Sequence, residues 1–182
     1  MKNILFLLLF SCVCSCDPAP SSITQPQQQF RTTPPARLYF KNMRSYYYQQ
    51  STEAETKIDF YTLKKFQDPE ERPLLMPVIA DNWLEDEAYI FFKNDQTDLF
   101  TDTLHLQLED NNNMDTLVWT KFDYEGQYLM IQQLFEALQK GHKINVYSQR
   151  KTWIPLFDNQ SEYANFLRVV NDYYNLTEKS SK

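Results

Sequence analysis

Every cysteine of this 182-residue chain lies in its first sixteen residues, at Cys12, Cys14 and Cys16. Whatever folds downstream does so without a disulfide framework and without a cysteine-built metal site. It must therefore be held by its core alone. The stock for that core is aromatic: of 13 Phe, 12 Tyr and 3 Trp, most lie beyond residue 36. Glycine is confined to Gly126 and Gly141. Two glycines cannot build a phosphate-cradling loop or a dinucleotide fingerprint, so those nucleotide-binding classes are set aside.

The cysteine-bearing leader has a pattern of its own. Lys2 supplies a positive charge, Ile4 to Phe10 is an unbroken apolar run, and Asp17 opens a Pro/Ser/Gln-rich stretch. A cationic start, an apolar core and small residues before a break read as a secretory signal. The apolar run is far short of the about 20 residues that span a bilayer. Two frames, Leu9-Phe10-Ser11-Cys12 and Val13-Cys14-Ser15-Cys16, carry an aliphatic residue, a variable one, a small one and a cysteine. They resemble the signal of bacterial lipoproteins, in which that cysteine becomes the acylated N-terminus. Cys16 is the preferred site, because it leaves a longer apolar core and the polar stretch follows at once. Cys12 is the second frame. The resemblance implies that residues 1–15 are removed and that acyl chains hold the protein to a membrane of the bacterial cell envelope. Two or more chains give the stable anchoring that one does not. Inner or outer membrane stays open.

The chain carries a formal net charge of −6, and loss of Lys2 with the signal makes it more negative still. Lys41, Arg44, Lys57, Lys64 and Lys65 are spread over two segments among acids. Nucleic acid is therefore not an expected partner. Residues 16–36, with five prolines and three consecutive glutamines, read as an acylated start and tether too poor in apolar side chains to fold. Residues 37–176 make about 140 residues, enough for one globular domain. Residues 177–182 are a polar tail.

Within that domain the patterns point to α+β. Arg37 to Tyr48 fits either an extended start or a short helix. Lys57 to Leu63, Leu74 to Ile79 and Asp86 to Lys93 read as strands; Pro77 suggests an edge position for the second of these. Leu104, Leu106 and Leu108 alternate with His105, Gln107 and Glu109, and Met114 to Phe122 returns as a partner strand. This predicts an antiparallel hairpin over about 103–122 with a four-to-five-residue loop. Asp123 is a natural N-cap for an amphipathic helix over 124–140, and Gly141 stands where a helix C′ residue should. Ile144 to Ser148 follows as a strand, so the order strand–helix–strand fits a crossover unit. Asn159-Gln-Ser-Glu162 has capping-box spacing before a second helix over about 160–174. The expected architecture is one small α+β domain, a mixed sheet containing the hairpin, with both helices on one face.

Catalytic signatures are scarce. His105 lies on the polar side of a strand and His142 beside Gly141; both read as surface residues without metal-ligand spacing. Acids gather at Asp81, Glu85, Asp86 and Glu87, and again at Asp95, Asp98 and Asp102, without the spacing or glycine of a calcium loop. No cofactor or metal is expected. The suggestive residues are aromatic: Tyr46, Tyr47, Tyr48, Trp83 and Trp153 are candidates for ligand binding. Three consecutive tyrosines cannot all face a core, so at least one is expected to be exposed.

Three functions follow in order of expectation. The first is a membrane-anchored, non-catalytic envelope lipoprotein that holds a protein partner or helps assemble a complex. The second is a glycan- or peptidoglycan-binding module that stacks sugars on Tyr46, Tyr47, Trp83 or Trp153. The third is a hydrolase with carboxylates such as Asp81 and Glu85. The anchor has a direct test: Cys16→Ser leaves the chain soluble or unprocessed in cell fractionation. A variant that still pellets with membranes at mature size would place the anchor elsewhere.

Overall fold

A computed structural model of the chain describes residues 30–68, 73–93, 103–110, 113–148 and 151–178. Cys12, Cys16, most of the tether and the acids Asp95, Asp98 and Asp102 lie outside those residues. Among the described residues, eight strands form two four-stranded sheets. In the first, β1 (Tyr48–Thr52), β2 (Asp59–Leu63), β3 (Met76–Asn82) and β4 (Glu87–Lys93) lie in sequence order. The second holds β5 (Leu104–Asp110), β6 (Asn113–Trp119), β7 (Lys143–Tyr147) and β8 (Trp153–Leu156) in the order β6-β5-β7-β8. Three α-helices complete the set: α1 (Pro34–Tyr39), α2 (Tyr124–Gln139) and α3 (Gln160–Leu176).

The chain is thus a small α+β domain, with the hairpin as β5–β6 and the two long helices as α2 and α3. The single mixed sheet is corrected to two sheets in which every ladder is antiparallel. The reason is visible in the crossover β6–α2–β7. β6 and β7 do run parallel, but β5 lies between them and pairs with both. The hairpin register runs to Asp110 opposite Asn113, so two residues join the strands rather than four or five.

Local chemistry explains the helix ends. Asp123 accepts the backbone N–H of Gly126 at 2.7 Å, capping α2. A Cβ at Gly126 would stand 2.4 Å from the Lys121 carbonyl oxygen, so only glycine fits that first turn. At the other end Gly141 has φ +83°. The N–H groups of Gly141 and His142 bond back to Leu138 and Ala137, closing a Schellman motif. Asn159 caps α3 by accepting from the Glu162 N–H at 2.7 Å.

Pro77 does not mark an edge strand. β3 is internal, between β2 and β4. The β2–β3 ladder ends at Val78, one residue short of the proline, so no ladder bond is asked of its nitrogen. Opposite Pro77, Phe92 sends its N–H outward to Gln127 Oε1 at 2.9 Å.

Helices α2 and α3 both pack on the first sheet, and α2 also meets β7. Phe92 stacks on Phe166 at 6.2 Å, and the Tyr173 hydroxyl donates to the Ala88 carbonyl at 3.3 Å. The segment before β1 crosses this assembly as a strap. It begins at Phe30, seven residues before the boundary suggested by composition. Phe30 is buried against Tyr89, Tyr124 and Tyr128, with ring centroids 5.2, 5.4 and 5.6 Å away. Two of the five prolines that read as a tether, Pro34 and Pro35, sit at N1 and N2 of α1, where a missing N–H costs nothing. After α1 comes a π-helical turn, Phe40–Arg44, then a 3₁₀ turn, Ser45–Tyr47.

Two buried carboxylates fasten the strap. Asp172 of α3 takes Arg44 in a two-pronged pair, at 2.6 Å from Nε and 3.0 Å from Nη2, and the Tyr48 hydroxyl at 2.7 Å. Burial, with the Asp172 charge adding to it, lifts the Tyr48 hydroxyl far above its ordinary ionisation range. Asp81 of β3 receives Arg37 Nε at 3.1 Å, while Arg37 Nη1 reaches Asp86 at 2.7 Å. Because Phe30 fills an aromatic box, Phe30→Ala should cost about 3 kcal/mol in urea unfolding. A chain begun at residue 37 should lose its cooperative transition. Unchanged stability in both would return the strap to the tether.

Candidate functional site

The outer face of the second sheet is built by alternation. Leu104, Leu106, Ile144, Val146 and Leu156 turn inward and are buried. Their neighbours must then point the other way. The register sets Val118 opposite His105 and Tyr147 opposite Trp153; Leu106 opposite Val146 brings His105 beside Tyr147. One residue from each strand thus joins a single row, Val118–His105–Tyr147–Trp153. The rings touch edge to face, His105 to Tyr147 at 6.3 Å and Tyr147 to Trp153 at 5.1 Å. Val118 is 56 % and Trp153 40 % exposed, so the row is open to ligand.

The next row is polar. Thr116, Gln107, Asn145 and Pro155 align across the same four strands. Asn145 Nδ2 donates to Gln107 Oε1 at 3.5 Å, a long bond that leaves both amides with capacity to spare. His105, Thr116, Tyr147 and Trp153 enclose a cleft of about 230 Å³. A flat apolar wall edged by amides and a hydroxyl can stack and orient a ligand. It supplies no nucleophile–base pair and no paired acids.

The other sequence candidates lie elsewhere. Tyr46 and Tyr47 are exposed on the strap and pack edge to face at 5.6 Å. Tyr48, expected among the ligand-binding residues, is a core residue: it is buried, and Asp172 occupies its hydroxyl. Trp83 and Leu84 are exposed together in the β3–β4 turn. Trp119 is half-buried, with its indole N–H on the Lys121 carbonyl at 2.7 Å. Tyr147 carries no signal of its own in the sequence, although the inward pair Ile144 and Val146 implies its outward direction.

The acids of the hydrolase reading are not brought into one pocket. Asp81 is fully buried against Arg37, whereas Glu85 is exposed in a turn. A second cavity, of about 300 Å³, lies between the end of α2 and the start of α3. Its lining includes His142, Asn145, Tyr163 and Phe157, the last strained at φ +57°, but Asp158 is its one carboxylate. Among the described residues no three His, Cys, Asp or Glu side chains converge as a metal site would need. No described helix is long and apolar enough to cross a membrane. Comparison with protein-family models, curated proteins and solved structures finds no match for this chain.

Asp81 has a structural signature of its own. Its Oδ2 is buried without a hydrogen-bond partner, and Lys41 Nζ stands 4.0 Å away. Burial raises the carboxyl above its ordinary range, and Arg37 and Lys41 pull it back only in part. A group with a raised folded-state pKa contributes its stability below the unfolded pKa and loses it as pH rises through the folded one. Urea midpoints between about pH 4 and 7 should therefore move against the wild type relative to Asp81→Asn as pH rises. A constant difference would mean that Arg37 fully compensates the burial.

Proposed function

We propose that this chain is a non-catalytic binding module of the bacterial envelope, held by acyl chains on Cys16, with the outer face of the second sheet as its ligand surface. The observation that carries the reading is the row of rings beside a row of amides. A cell-wall glycan suits that pairing. A sugar ring offers a flat C–H face to Tyr147 and Trp153 and hydroxyls to Gln107, Asn145 and Thr116. Val118 and Met114, exposed on the same face, favour a second reading in which a protein partner covers a wider area.

The two readings separate in one series. Titration with soluble peptidoglycan fragments should change tryptophan fluorescence. Trp153→Ala should weaken binding about tenfold, the loss of roughly one stacking contact, with an unchanged circular dichroism spectrum. Trp83→Phe should leave affinity intact. A flat titration at millimolar ligand would end the glycan reading. Capture of one envelope protein in crosslinked cells, lost in Met114→Ser and Val118→Ser, would establish the protein partner instead.

A further inference from the structure

The strap presents a surface unlike the rest of the molecule. From Arg31 to Thr52 the chain holds Arg31, Arg37, Lys41 and Arg44 and no acid, in a protein of net charge −6. The same stretch carries five of the thirteen large apolar side chains exposed among the described residues: Leu38, Tyr39, Met43, Tyr46 and Tyr47. Leu38 is 62 %, Met43 60 % and Tyr46 77 % exposed, so these are not the rims of core residues.

The fold adds cations from other elements. Lys64 follows β2, donates to the Tyr46 carbonyl at 2.7 Å and stands 4.8 Å from the ring centre. Arg168 of α3 lies 5.3 Å from the Tyr47 ring, and Arg44 lies 5.1 Å from it. Arg44 is spent on Asp172, but Lys64 and Arg168 are exposed. Tyrosines with a wet hydroxyl, apolar tips and long cationic stems are the side chains that suit the boundary between lipid headgroups and acyl chains.

We propose that this strap is a docking surface for an anionic phospholipid bilayer. Leu38, Met43 and Tyr46 enter the headgroup boundary, and Lys41, Lys64 and Arg168 meet the phosphates. Charge complementarity argues for it, because the remaining surface is acidic and repelled by such a membrane. Chain length argues for it as well. Residues 17–29, the only ones between the anchor at Cys16 and Phe30, reach at most about 45 Å even when fully extended. An acidic protein partner would meet the same cations, but it gives no reason for apolar side chains to lie so close to an acylated end.

The length argument rests on the proposed anchor at Cys16, but the surface must bind without it, so its test omits the anchor. Every described core residue lies at or beyond Phe30, so a chain beginning at Asp17 includes the whole described fold. That chain should sediment with phosphatidylcholine vesicles containing about a third phosphatidylglycerol. It should not sediment with phosphatidylcholine alone, and added salt should release it. Lys64→Glu with Arg168→Glu should weaken binding about tenfold or more, and Met43→Ser with Tyr46→Ser should do likewise. Both pairs are exposed, so thermal unfolding should stay near that of the parent. Absence of binding to the anionic vesicles, or equal binding to neutral ones, overturns the proposal. So does a strap that crosslinks in cells to an acidic protein while ignoring vesicles. A full-length Cys16→Ser chain that stays on membranes after a high-salt wash would instead count against the anchor alone, because salt releases what the strap holds.

Discussion

The carboxylate of Asp172 organises more of this molecule than any other group. It is buried on α3, where an unpaired charge would cost several kcal/mol. Two prongs of Arg44 and the Tyr48 hydroxyl satisfy it, and both residues come from the far end of the chain. That one site therefore fixes three things together. The strap ends against α3, β1 begins at Tyr48 with its ring against Phe40 and Tyr61, and Tyr47 is left outside beside Arg44. The exposed tyrosines and the buried one are outcomes of the same ion pair.

A chain without downstream cysteines meets its need for rigidity through rings. Phe30, Tyr89, Tyr124 and Tyr128 bind the strap to β4 and α2. Phe157, Phe166 and Phe92 connect the approach to α3 with the first sheet. Such contacts each contribute roughly 0.5–1.5 kcal/mol beyond the area they bury. Spread over many pairs, they do the work that crosslinks do in small disulfide-stapled domains.

Local signals were legible in the residues, and long-range ones were not. Asp123, Asn159 and Gly141 announce helix ends because capping depends on a few neighbouring atoms. The alternation of Leu104, Leu106 and Leu108 announces a half-buried strand for the same reason. The strap is not legible locally, because its prolines serve α1 from positions where composition reads only disorder and Phe30 finds its partners about sixty and a hundred residues away. Pro77 suggests an edge because the rule against central prolines assumes a ladder on both sides, and here one ladder stops short. For the candidate surface, Trp153 stood out by type. Tyr147 and His105 joined it only through the register of β5 with β7, which no local pattern encodes.

The outer edge of β4 carries a consequence for how copies of this chain meet. At its start, Arg31 pairs with Glu87 in an isolated bridge and Thr32 donates to Asp86. At its end, the Phe92 N–H is taken by Gln127, whose own amide is held by the Phe122 carbonyl. A strand from a second molecule would find the outward-facing backbone groups at both ends already engaged. This edge of the first sheet therefore resists growth by strand addition, the usual route from an open antiparallel edge to aggregates. The strap and α2 thus keep neighbouring molecules from extending the sheet past β4.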